Sequence, residues 1–169
     1  MASVLLDKLK GGGQVPPVPP HLATLKSGFG GFLAIAFVGW LAHVTGQPMI
    51  LGSLGASCVM LFGFPDLPFS QPRNVLGGHI ITAVIGLICL SLFGPSFWAM
   101  ALALALSLIA LVASGLPHPP AGSNPIIIFL SMPGWGFLLF PTISGVLGIL
   151  LIAIIYNNLT RQSAYPKYW

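Results

Sequence analysis

The chain has 169 residues, of which 56% are apolar and 5% charged, and a net charge of +4 from six Lys/Arg against two Asp/Glu. A soluble domain carries about 25% charged residues, so this composition excludes an ordinary soluble surface and leaves a lipid bilayer as the solvent for most of the chain. Lys8, Lys10 and Lys26 precede the first apolar run, Arg161 and Lys167 follow the last, and between them only Asp66 and Arg73 are charged. Cations at the two ends suit phospholipid headgroups and the setting of topology, so nucleic acid is not an expected partner.

Residues 1–27 hold Gly11-Gly12-Gly13 and then Val15-Pro16-Pro17-Val18-Pro19-Pro20. Proline removes backbone donors and clashes inside a helix, so this stretch is no signal-peptide core and reads as a flexible cytoplasmic tail. Apolar segments follow at 28–44, 49–64, 76–93, 97–114, 126–132 and 137–156. A perpendicular span needs about 20 residues. The first, third, fourth and last segments reach that length with their flanks; 49–64 is marginal and 126–132 is too short alone. The expected fold is an all-α polytopic membrane protein with four full transmembrane helices plus two short broken or re-entrant ones, or with six unequal spans. Both counts put the two termini on one side, and the terminal cations make it the cytoplasmic side. The membrane domain then covers 28–158, and 159–169 forms an interfacial tail whose Tyr165, Tyr168 and Trp169 suit the headgroup layer.

The two irregular pieces occupy matching places, as Leu54-Gly55-Ala56-Ser57 and as Pro120-Ala121-Gly122-Ser123. The helices after them also rhyme, Thr82-Ala83-Val84-Ile85-Gly86 with Ser144-Gly145-Val146-Leu147-Gly148. A duplication of three segments and a chance match of short apolar runs both account for this. Paired interrupted segments point to a transporter site. A helix that starts inside the membrane leaves its first N–H groups free to face an anion. Gly55 and Gly122 would let backbone approach a small ligand, and Ser57 and Ser123 would cap the helix or donate a hydroxyl. The alternative is that these small residues serve helix packing.

Arg73, in Gln71-Pro72-Arg73-Asn74, either attracts an anion or pairs with Asp66 at the headgroups. His43, His79 and His118 lie in or near the bilayer, where polar groups are costly and invite a functional reading. His79 follows Gly77-Gly78 at an expected helix start, and His118 sits between two prolines. Their spacing fits no metal motif and no carboxylate joins them, although one imidazole on an apolar helix suffices as an axial pigment ligand. Cys58 and Cys89 read as small core residues. The chain has no glutamate, no nucleophile elbow and no phosphate-binding lysine loop, so an enzyme is not expected. The candidate ligand-facing residues are Gly55, Ala56, Ser57, Arg73, Asn74, His79, His118, Ala121, Gly122 and Ser123, with no cofactor and no metal.

Leu116-Pro117-His118-Pro119-Pro120-Ala121-Gly122 contains a His-Pro-Pro signature. With Ser53-Leu54-Gly55-Ala56-Ser57, Pro65-Asp66-Leu67-Pro68, Gln71-Pro72-Arg73-Asn74-Val75-Leu76-Gly77-Gly78-His79 and the ending Tyr165-Pro166-Lys167-Tyr168-Trp169, it resembles the HPP family of small integral membrane proteins over about residues 28–169. Chloroplast and cyanobacterial members are implicated in nitrite transport. The resemblance therefore implies a carrier or channel for a small monovalent anion, nitrite first, and the expected setting is a bacterial membrane, the inner membrane or a cyanobacterial thylakoid. Where many relatives run Ala-Gly-Ala-Thr-Ala, this chain has Ala121-Gly122-Ser123-Asn124-Pro125. A structural subunit of a larger membrane complex, with or without pigment, is the alternative. The expected partners are a small anion, membrane lipid and further copies of the chain.

Overall fold

The computed structural model describes residues 8–9 and 13–169. The tail expected over 1–27 therefore lies partly outside the described residues. Gly13–Pro20 has no regular structure, but helix α1 (His21–Thr45) already starts at His21. Seven residues assigned to a tail thus belong to the first helix. Its N-cap, Pro20, is the last proline of the stiff run, and Gly46 ends it with φ +67, a conformation that glycine adopts without steric cost.

The described residues are mostly helical and include no strand. Helix α2 (Gly52–Cys58) continues into a π-helical turn (Val59–Gly63), and a 3-10 turn (Pro68–Ser70) leads to α3 (Pro72–Phe93). Helix α4 (Phe97–Ala113) is followed by a 3-10 turn (Pro119–Ser123) and the short α5 (Asn124–Ser131). Two irregular turns (Trp135–Leu138 and Leu139–Ile143) then feed α6 (Ser144–Thr160). His21–Thr45, Pro72–Phe93 and the stretch Trp135–Thr160 are each long and apolar enough to cross a membrane. Gly52–Gly63 and Phe97–Ala113 are shorter apolar helices. At 17 residues, α4 measures about 26 Å along its axis, slightly less than a hydrocarbon core about 30 Å thick.

Side-chain contacts set the direction of each segment. Tyr156 donates to the Lys26 carbonyl at 2.8 Å, so the start of α1 and the end of α6 share one end of the bundle. Ser27 donates to the Phe62 carbonyl at 2.8 Å, which brings the end of the π turn to the same place. At the other end, Pro48 and Ile50 share an apolar cleft with Ser131, Pro133 and Phe137. Six runs follow one another in the chain, α1, residues 47–63, α3, α4, residues 119–131 and residues 135–160, three of them long and apolar enough to cross a membrane. The second and fifth runs are the interrupted ones. The second descends as extended chain to Leu51 (φ −127, ψ 149) before α2 begins.

The packing places α1 against α6, α3 against α4 and α5, and the two interrupted runs against each other through α2 and the Pro119–Ser123 turn. Close approach depends on missing side chains. A Cβ on Gly148 would collide with Val38, and one on Gly145 with the Met49 carbonyl and Leu54. Lipid is as apolar as leucine, so such dispersion contacts and interhelical hydrogen bonds take over the role that apolar burial has in water. Cys58 and Cys89 are buried and free.

Candidate functional site

Ser57, His79 and Asn124 come from three helices and His118 from the loop before the Pro119–Ser123 turn, and all four are fully buried. Ser57 Oγ lies 3.0 Å from His79 Nε2 and 2.8 Å from His118 Nε2. It also lies 3.0 Å from the Ser53 carbonyl, one helical turn back. His118 Nδ1 is 2.6 Å from the Phe69 carbonyl, and Asn124 Nδ2 is 3.0 Å from His79 Nδ1. The two imidazole centroids are 5.2 Å apart. Thr82 closes the network, 3.1 Å from Asn124 Nδ2 and itself donating to the Gly78 carbonyl at 3.0 Å.

Local sequence explains the arrangement. Ser57 and Ser53 sit one turn apart on the same face of α2. His79 and Thr82, three residues apart, share a face of α3. Gly78 lets His118 approach, because a Cβ there would stand 3.0 Å from the His118 Cβ and 3.3 Å from the Leu116 carbonyl. His118 is held between prolines in an extended conformation (φ −138, ψ 97), which turns its ring inward.

Several expectations need correction. Leu54–Ser57 is not a helix start: α2 begins at Gly52, and the Ser57 hydroxyl lies within hydrogen-bond range of the carbonyl four residues earlier instead of capping free amides. His79 is not at a helix start either, since α3 begins at Pro72 and His79 lies two turns inside it. At the second interruption, Ser123 donates to the Pro120 carbonyl at 2.8 Å, and the prolines there carry no N–H. Asp66 pairs with Arg161 and with Lys167 (3.2 Å), not with Arg73. Those partners hold the Asp66 carboxyl below its ordinary range, the hydrogen bond from Arg161 contributing most. Arg73 is exposed beside Leu76, Leu150 and Trp169. Tyr165 is not a headgroup residue: it is buried, with its hydroxyl donating to the Ser70 carbonyl at 2.6 Å.

The structure brings together Ser57, His79 and His118 from the expected set. Ala121 is buried, Gly122 and Ser123 are half-buried, and Asn74 donates to the Pro117 carbonyl at 3.3 Å, bracing the loop that carries His118. Gly55 and Ala56 face outward; Gly55 lines a shallow apolar groove of about 250 Å³ with Ser27, Gly31 and Cys58. His43 is exposed in the last turn of α1. Both ring nitrogens of His79 are engaged, so an axial metal bond would have to displace Ser57 or Asn124. Sequence reasoning missed Asn124, although a buried amide at the start of an apolar run was its available signal. It also missed a cavity of about 450 Å³ at the cationic end, lined by Lys26, Asp66, Tyr156, Asn157 and Arg161.

Two transmembrane proteins of Dictyostelium discoideum are each 34% identical to the chain. The matches cover 91% of this chain and 58% of the first relative, and 94% and 55% for the second. The chain therefore spans little more than half the length of these curated relatives. No solved structure matches it. The HPP transmembrane region matches over residues 16–166, and the chain belongs to the HPP family of integral membrane proteins.

Proposed function

We propose that this protein carries a small monovalent anion across a membrane, with nitrite as the first candidate substrate. One observation carries the reading. The two interrupted runs meet at an uncharged, fully buried and hydrogen-bonded group of Ser57, His79, His118 and Asn124. Polar side chains are costly at this depth, and in membrane proteins they mark transport pathways. Access to this closed cluster from either side requires one half of the bundle to move against the other. The repeated order of long, short and long elements supports two such halves.

In this reading all six runs cross the bilayer, the interrupted ones as half extended chain and half helix. Lys26, Arg73, Arg161 and Lys167 gather at one end, which the positive-inside rule assigns to the cytoplasm together with both termini. The cavity at that end offers Lys26 and Arg161 as attraction for an incoming anion. The lipid-facing glycines and leucines leave surface for association with further copies.

Nitrite uptake into proteoliposomes of the purified, correctly folded chain is the test. Uptake above protein-free vesicles that falls at least ten-fold in Ser57→Ala is expected. Uptake no greater than that of protein-free vesicles would refute the reading.

A further inference from the structure

The hydrogen bonds around Ser57 fix where the protons lie, and they leave a place for one more. A carbonyl oxygen accepts only, so His118 Nδ1 holds a proton for Phe69 and its Nε2 lone pair faces Ser57. Asn124 Nδ2 also lies 3.3 Å from the His79 carbonyl, which orients the amide and directs an N–H at His79 Nδ1. His79 therefore holds its proton on Nε2 and donates it to Ser57. The Ser57 hydroxyl then donates to His118 Nε2. Net charge is zero and both rings are satisfied.

Ser57 has a second acceptor, the Ser53 carbonyl at 3.0 Å. A proton arriving on His118 Nε2 needs only a rotation of the Ser57 O–H from that nitrogen to Ser53. Ser57 Oγ then accepts an N–H from each ring. One hydroxyl rotation separates two fully bonded states that differ by one proton.

We infer that the Ser57–His79–His118 cluster couples the anion to a proton, one taken up on His118 Nε2 with each monovalent anion. This rests on the transport reading above. A proton from water bonds to the Nε2 lone pair and makes an imidazolium of charge +1; with an anion of charge −1 the occupied site is neutral. On release water takes the proton back, the lone pair is restored, and no bond in the anion changes.

The surroundings make the coupling strict. The elements packed against the pair are α2 with its π turn, α3, the loop at 64–71 and the Pro119–Ser123 turn with α5. Besides the pair itself, their titratable or charged groups are Cys58, Cys89, Arg73 and Asp66, and neither of the two charged ones can compensate an imidazolium. Arg73 is exposed and carries the same sign, and Asp66 is exposed and engaged by Arg161 and Lys167. Tyr165, packed on the same loop, donates to Ser70. A buried unpaired charge is costly, so the proton and the anion each stabilise the other. A dianion would leave the site charged and is excluded as a substrate.

The experiment uses the whole chain in liposomes with an internal pH dye, external nitrite and the membrane potential clamped at zero. An alkaline interior should drive nitrite uptake at least five-fold faster than symmetric pH, with one proton entering per nitrite after subtraction of protein-free vesicles. Sulfate should not enter. Wild-type nitrite uptake that ignores the pH gradient, or that carries current, overturns the coupling and leaves the anion reading standing; absence of nitrite uptake overturns both. His118→Gln should lose gradient-driven uptake at least ten-fold, and a folded His118→Gln that concentrates nitrite like the wild type overturns the assignment. Ser57→Ala and Ser57→Thr provide a second pair: the threonine should restore the gradient-driven uptake that alanine loses, and a residual nitrite uptake in the alanine variant that still brings in one proton per nitrite overturns the assignment.

Discussion

Gly78 and Gly122 flank the same histidine but tolerate a side chain differently. A Cβ on Gly78 would meet the His118 Cβ at 3.0 Å and the backbone of Leu116 at 3.3 Å, whereas one on Gly122 would meet nothing within 4 Å. Gly78→Val is therefore expected to cost about 1–3 kcal/mol by overpacking and to displace His118, read as a lower thermal midpoint in detergent. Gly122→Val should keep the wild-type midpoint, and in the transport reading it should still block uptake. The sequence singled out Ser57, His79 and His118 because polar groups in apolar runs stand out. Asn124 stands out less, because Asn-Pro also reads as ordinary turn chemistry. Gly55 and Ala56 do not join the histidines: a run of small residues shows no helical face in the sequence, and that side of α2 is exposed.

At the scale of elements, hydropathy located every apolar run but not where the helices begin. The run at 49–64 has no capping residue to mark its start, and Pro48 suits extended chain and the first turn of a helix alike. Its entry is set by tertiary contact: the Met49 carbonyl lies over Gly145, where a Cβ would collide with it. The 126–132 segment was legible as a short helix because Pro125 stands near its first position. The contact of α3 with α5 depends on Gly86, where a Cβ would stand 2.9 Å from Ile128 and 3.1 Å from the Pro125 backbone. Gly86→Val should separate these helices. A fall in thermal midpoint larger than that of Gly122→Val is the expected result.

At the scale of the molecule, Lys26, Asp66, Arg73, Arg161 and Lys167 lie together at one end of the bundle. The side-chain exposure of Asp66 is 55%, so its ion pairs with Arg161 and Lys167 are screened and worth at most about 1 kcal/mol each. Its carboxyl is lowered from 3.8 on folding, so the pairs contribute stability in full above that value and lose it as pH falls through the lowered one. Asp66→Asn is therefore expected to reduce the thermal midpoint slightly at pH 7, less at high salt, and to match the wild type in strong acid. Single cysteines at Lys167 and Trp135 should label from opposite faces of sealed vesicles, Lys167 from the cytoplasmic one.

The last residues of the chain are tied to the loop that positions His118. Tyr165 donates to the Ser70 carbonyl, and the Lys167 amide donates to Gln71 Oε1 at 2.7 Å. Ser70 adjoins Phe69, whose carbonyl holds the His118 ring. A pull on the carboxyl terminus thus reaches an imidazole in the bundle interior through a few hydrogen bonds and one peptide link. Any load attached beyond Trp169 has a mechanical lever on a fully buried polar group, His118.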